Sequence, residues 1–202
     1  MIMKANNNSH PRGKWAHRFV KMSLLNGVLA IVLTSYLLYL AVFGVPAASR
    51  IIAGGGAGTW LIVGYFGYIT IGVLATIVFA LLYRYLEVDL RRTFTKFSSG
   101  LTWLALVLWT VGVIGSMWLM MHAGYSGGAA SLSTSVGGLG WTAGQIHTDI
   151  MQFYPSYIAG FMGIAVAGIL LGLIGYAVTW LRPSKVESAV PSAVGRSGVN
   201  SR

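Results

Sequence analysis

Apolar residues run through this chain in four long blocks separated by polar or small-residue segments. The blocks extend from about Met22 to Val45, Thr59 to Tyr85, Leu101 to Met121 and Ser156 to Leu181. Each is long enough to cross a hydrocarbon core, which takes about 20 apolar residues in a helix. None has an Asp, Glu or Lys in its interior. Arg84 lies at the end of the second block, where its apolar stem can lead the charge out to the headgroups. Lipid offers the backbone no hydrogen-bond partner, so blocks of this length read as helices. The first block is longer than the roughly 7–15-residue core of a cleaved signal, and it is read as a retained span. The pattern predicts an all-α integral membrane four-helix bundle over residues 22–182.

The flanks and loops read differently. Residues 1–21 are polar and basic, Asn-rich and disordered at the start, with Lys14–Lys21 as an interfacial turn leading into the first span. Residues 122–155 form a Gly/Ser-rich outer loop whose glycines (124, 127, 128, 137, 138, 140 and 144) show no core-forming pattern. Residues 183–202 read as a disordered tail. A Gly-rich phosphate loop needs a following Lys, and the outer loop has none.

Charge fixes the expected orientation. Lys4, Arg12, Lys14, Arg18 and Lys21 precede the first span, Arg91, Arg92 and Lys96 lie between the second and third, and Arg182, Lys185, Arg196 and Arg202 follow the fourth. The other two loops hold only Arg50. Short loops rich in Lys and Arg stay in the cytoplasm, which places both termini inside and the chain in the cell membrane as a multi-pass protein. Trp15, Trp60, Trp118, Trp141 and Trp180 fall near span ends, as an aromatic belt does.

Composition narrows the function. Hydrophobic residues make up 55% of the chain and charged residues 9%, against about 25% charged in soluble domains. The net charge of +10 sits at span ends, where it sets topology and meets anionic lipid, so nucleic acid is not the expected partner. With no cysteine, thiol catalysis and thiolate metal sites are excluded. Four acidic residues, Glu87, Asp89, Asp149 and Glu187, supply no carboxylate pair for hydrolysis. Ionisable groups within the membrane mark pumps and ion paths, and the spans lack them.

Two features carry candidate chemistry. Met121 and His122 end the third block, and His147, Asp149 and Met151 precede the fourth. Met and His are soft ligands suited to copper, with Asp a harder one. The plainer reading is an interfacial His with core-filling methionines. The second feature is small-residue spacing. Gly168 and Gly172 form a GxxxG pair, Ala159, Gly163 and Ala167 form another stripe, and Gly72 interrupts the second block. Such stripes let backbones approach closely, within one bundle or against another membrane subunit.

The stretch Gly67-Tyr68-Ile69-Thr70-Ile71-Gly72-Val73-Leu74-Ala75-Thr76-Ile77-Val78-Phe79 resembles the second helix of haem–copper oxidase subunit I, the B-type branch in particular. Gly100-Leu101-Thr102-Trp103-Leu104 is similar to the opening of its third helix, and Phe153-Tyr154-Pro155 to the segment before its fourth. The likeness covers about residues 20–182, the first four helices only. Where the family has a haem-ligating His, this chain has Ile71. The resemblance therefore implies a non-catalytic relative, an accessory or structural subunit of a respiratory membrane complex, with no cofactor on this chain alone and other membrane subunits as partners. An outer-face copper-handling protein, or a small transporter or channel component, remains as the alternative. Haem held at the outer face by His122 and His147 is a lesser variant.

Cysteines placed at Ser133 and Thr93 test the orientation in intact cells. An impermeant maleimide is expected to label Ser133→Cys and spare Thr93→Cys; the reverse pattern inverts the topology.

Overall fold

The structure, a computed structural model, describes residues 13–182; the calls made on residues 1–12 and 183–202 lie outside the described residues. Every described element is helical. Four helices are long and apolar enough to cross a membrane: α1 (Lys14–Phe43), α3 (Gly56–Asp89), α4 (Lys96–Ser131) and α6 (Tyr154–Trp180, preceded by a 3-10 turn at Met151–Phe153). Two short helices, α2 (Ala48–Ala53) and α5 (Ala143–Asp149), lie in the loops at one end. That end is called the cap face, and the opposite end, where α1 starts and α6 stops, the terminal face. The described Lys and Arg residues all belong to the terminal face except Arg50 in α2.

The helices pack in a row: α1 on α3, α3 on α4, and α4 along its length on α6. Helix α4 is the axle. It has 36 residues, about 54 Å at 1.5 Å per residue, against a hydrocarbon core of about 30 Å. Hydrophobic burial does not drive association between helices in lipid, so contact must be close. Here glycine supplies it. A Cβ at Gly112 would fall 2.6 Å from the Phe161 carbonyl oxygen, and one at Gly168 would fall 2.7 Å from the Trp109 nitrogen. On the other side of α4, a Cβ at Gly128 would fall 2.8 Å from the Gly58 Cα.

Polar groups join the first three helices in mid-membrane. Residues Tyr68–Ala75 of α3 form a π-helical stretch. A widened turn loosens the regular backbone ladder, and side chains take up the carbonyls. The Gly72 carbonyl accepts hydrogen bonds from Asn26 Nδ2 at 2.8 Å and from Thr76 Oγ1 at 2.7 Å. The Val73 carbonyl accepts from Ser23 Oγ at 3.0 Å. Trp109 Nε1 of α4 donates to Thr76 Oγ1 at 3.0 Å. Tyr68, fully buried, turns its hydroxyl toward the Asn26 carbonyl. Its ring lies 3.1 Å from where a Gly72 Cβ would stand, so Gly72 is also a packing position.

The terminal face is closed by two charged residues that reach helix ends. Glu87 accepts hydrogen bonds from the backbone nitrogens of Trp15 (2.9 Å) and Ala16 (3.1 Å), which have no partner inside α1. A carboxylate there also meets the positive end of the helix dipole. Arg92 donates to the Arg182 carbonyl just beyond α6, where a cation is favoured.

Two boundaries differ from the sequence reading. Helix α1 starts at Lys14, so the expected interfacial turn is part of the span, with Trp15, Ala16 and Phe19 buried. Helix α4 continues past Met121 to Ser131, and the expected outer loop 122–155 also contains α5. Gly124, Gly127 and Gly128 disfavour a helix by about 1 kcal/mol each. Yet they sit against Leu61, Ala57 and Gly58, where no larger residue fits. Close packing overrides propensity there.

Asn26→Leu keeps the branching pattern of the side chain and removes the link from α1 to Gly72. Interhelical hydrogen bonds in membranes contribute about 0.6–1.7 kcal/mol, and a loss of about 1 kcal/mol is expected in reversible unfolding by sodium dodecyl sulfate in mixed micelles. An unchanged midpoint would show that the bond does not hold α1.

Candidate functional site

At the cap face the chain changes character. Below it the helices present aliphatic surface; here His122, His147, Asp149 and Arg50 bring ionisable groups among tyrosines and tryptophans. Helix α4 carries Leu119, His122 and Ser126 on one face, at helical spacing. The segment before α6 brings Asp149 and Tyr154 to the same place. Thr142 caps α5 in a reciprocal box with Gln145 and so fixes the start of the short helix that ends at Asp149. Pro155 stands in the first turn of α6, where it lacks no needed hydrogen bond, and sets Tyr154 at its start.

The centre of the arrangement is a pair. His122 Nδ1 and the Tyr154 hydroxyl lie 2.6 Å apart, with the rings tilted at 33°. Both groups line hollows. On one side, Ser126, Asp149, Phe153, Tyr154 and Tyr157 surround a hollow of about 480 Å³. On the other, His122 joins Trp118, Tyr125 and Tyr36 around a groove of about 340 Å³ between α1 and α4. The pair separates the two. Binding of Nδ1 by Tyr154 leaves Nε2 as the unengaged ring nitrogen of His122.

The five residues read from the sequence as metal ligands are distributed among different surroundings. His122 is exposed and paired with Tyr154, and Asp149 shares the Tyr154 hollow while accepting from the Thr148 hydroxyl at 3.0 Å. His147 is exposed on α5. Met121 is buried with Ile51 and Leu61 between α2, α3 and α4. Met151 is buried with Ala123, Ala130 and Ile146 under α5. Among the described residues, no three His, Asp or Glu side chains gather closely enough to share a metal ion.

The glycine stripes are also separated. Gly168 and Gly172 face α4, the latter 3.4 Å, from where its Cβ would stand, to the Ala105 methyl. Gly163 faces open space, as does Gly160. Ile71 packs, partly buried, against the cluster of Tyr68, Trp109 and Val113. Sequence reading missed the tyrosines: Tyr36 and Tyr125 drew no reading, and Tyr154 entered only within the Phe153-Tyr154-Pro155 segment. The Tyr-Pro at a helix start was the available signal for Tyr154.

The fold defines a multi-pass helical membrane protein with four candidate spans. The chain matches no protein-family model, no curated protein and no solved structure.

Tyr154→Phe removes the ring partner of His122. Acylation of His122 by diethyl pyrocarbonate, resolved by mass spectrometry and referred to exposed His147, is expected to speed up severalfold. Equal rates in parent and variant would show that the pair does not form in solution.

Proposed function

We propose that this chain is a non-catalytic accessory or structural subunit of a respiratory, terminal oxidase-like complex, seated in the cell membrane with both termini cytoplasmic. The observation that carries this reading is the use made of polar side chains inside the bundle. Asn26, Ser23, Thr76 and Trp109 hold helices together. Thr102, Thr110, Ser116 and Thr179 return their hydroxyls to carbonyls one turn back in their own helices. Groups spent in this way stabilise a scaffold, and among the described residues they are not free to line an ion path. The oxidase connection is supported by the resemblance of the Gly67–Phe79 stretch, and orientation by the basic residues of the terminal face.

The surface of α6 supports a membrane partner. Ala159, Gly160 and Gly163 are exposed on its cap-side half. A second helix can approach there as closely as α4 approaches Gly168 on the internal face.

Purification of the native protein in mild detergent is the direct test. The chain is expected to accompany a larger subunit showing haem absorption, while the chain produced alone shows no stoichiometric haem. Gly163→Leu is expected to abolish the association and leave the unfolding midpoint of the isolated chain unchanged. Gly168→Leu, by contrast, overpacks the α4 contact and is expected to cost about 1–3 kcal/mol. Recovery of the chain only as itself, or haem bound stoichiometrically to the isolated chain, would overturn the proposal.

A further inference from the structure

Among the described residues Asp149 is the one carboxylate of the cap face; Glu87 and Asp89 belong to the terminal face. Asp149 lines the hollow between α4 and the start of α6 and accepts a hydrogen bond from Thr148 Oγ1 at 3.0 Å. No Lys, Arg or His lines that hollow. The negative charge is therefore left for a cation that the described residues do not supply.

Three aromatic rings share the hollow with the carboxylate. Phe153 precedes α6, and Tyr154 and Tyr157 stand in its first turn. Phe153 and Tyr157 are 61% and 64% exposed, so neither is used up in the core. Tyr154 is held in place because His122 Nδ1 and its hydroxyl lie 2.6 Å apart. An aromatic belt accounts for rings at this height, but not for a carboxylate among them without a counter-ion. Leu119 and Ile150 add apolar wall, and Ser126 of α4 adds a hydroxyl. Helix α5 stops at Asp149 and α6 starts at Tyr154, so opposite helix ends meet here and the carboxylate supplies the net charge.

This combination selects among cations. A calcium or magnesium ion takes a shell of oxygen ligands, and one carboxylate with hydroxyls falls short of it. An aromatic face attracts a cation through its negative quadrupole, and the attraction is largest when the cation is desolvated. A methylated ammonium has little water to lose and carries its charge beneath an apolar surface. Its methyl groups meet Leu119 and Ile150 without burying an unpaired donor.

We infer that the hollow between α4 and the start of α6 binds a methylated ammonium of the choline class, with the charge at Asp149 and the methyl groups on Phe153, Tyr154 and Tyr157. A lipid headgroup and a free solute both carry that chemistry. The inference goes beyond the accessory-subunit reading and does not rest on it.

Full-length protein in dodecyl maltoside micelles, which hold no ammonium and no aromatic protons, is titrated with choline. Irradiation of the protein's aromatic protons is expected to transfer saturation to the choline methyl signal, with a saturable dose dependence and competition by tetramethylammonium. Asp149→Asn is expected to weaken choline binding about tenfold, and Tyr157→Leu severalfold. The uncharged carbon isostere of choline is expected to bind as weakly to the parent as choline does to Asp149→Asn. Both substituted positions are exposed, and unchanged unfolding midpoints tie the losses to the hollow. Phosphatidylcholine mixed into the micelles, with phosphatidylglycerol as control, separates the sources. Displacement of choline by phosphatidylcholine alone identifies a lipid headgroup, and no displacement identifies a free solute; both support the ammonium assignment. Absence of saturable transfer, equal affinity in parent and Asp149→Asn, or competition by sodium as strong as by tetramethylammonium would overturn it.

Discussion

The Gly72 carbonyl, in the π-helical stretch of α3, is the point at which three helices are tied together. A peptide oxygen has two lone pairs, and the Gly72 carbonyl turns acceptor capacity to side-chain donors in mid-bundle. Asn26 and Thr76 satisfy it, and Trp109 in turn bonds Thr76. This chain of contacts sets the height of α1 relative to α3 and of α3 relative to α4. Asn26 is the last fully buried residue of α1, and beyond it Thr34 meets the Tyr65 hydroxyl at 2.9 Å while Leu33 and Leu37 pack, partly buried, against Leu61 and Met121.

Around this tie, glycine does what hydrophobic burial does in water. Helix α4 meets α6 through Gly112 and Gly168 and meets the start of α3 through Gly124 and Gly128. Close backbones gain dispersion contacts that lipid cannot match as well, because the surfaces are fixed and complementary. The same residue type on the outer surface of α6, at Gly160 and Gly163, meets no other side chain or backbone among the described residues.

Much of the architecture was legible in the sequence because bilayer thickness is a strict ruler. Four apolar blocks gave four spans, and the blanks between them gave the loops. What was hidden depended on distant partners. The extension of α4 through Gly124 and Gly128 is invisible without Leu61 and Gly58 beside it. Glu87 reads as a surface acid until Trp15, 72 residues earlier, is seen to donate to it. Of the candidate site, His122 and Asp149 were legible as chemistry at the outer span ends. The His122–Tyr154 bond was not, because 32 residues separate the pair and interfacial tyrosine is common enough to carry little signal. The two methionines were misleading in the other direction. Beside His they suggest ligands, but their flexible side chains fill the cores under α2 and α5.

The long-range docking of Glu87 on α1 bears on biosynthesis. The first helix emerges from the ribosome with its leading N–H groups unpaired, and its partner carboxylate arrives only when α3 has been made. Asn26 and Ser23 wait for the same segment, so α1 and α3 mature together as one antiparallel hairpin. Helix α6 is the last long helix among the described residues, and its stop is held by Arg92, already in place before α4 begins. The chain thus consists of two hairpins in time as well as in space, joined at the short turn between Asp89 and Lys96. Each closes at the terminal face.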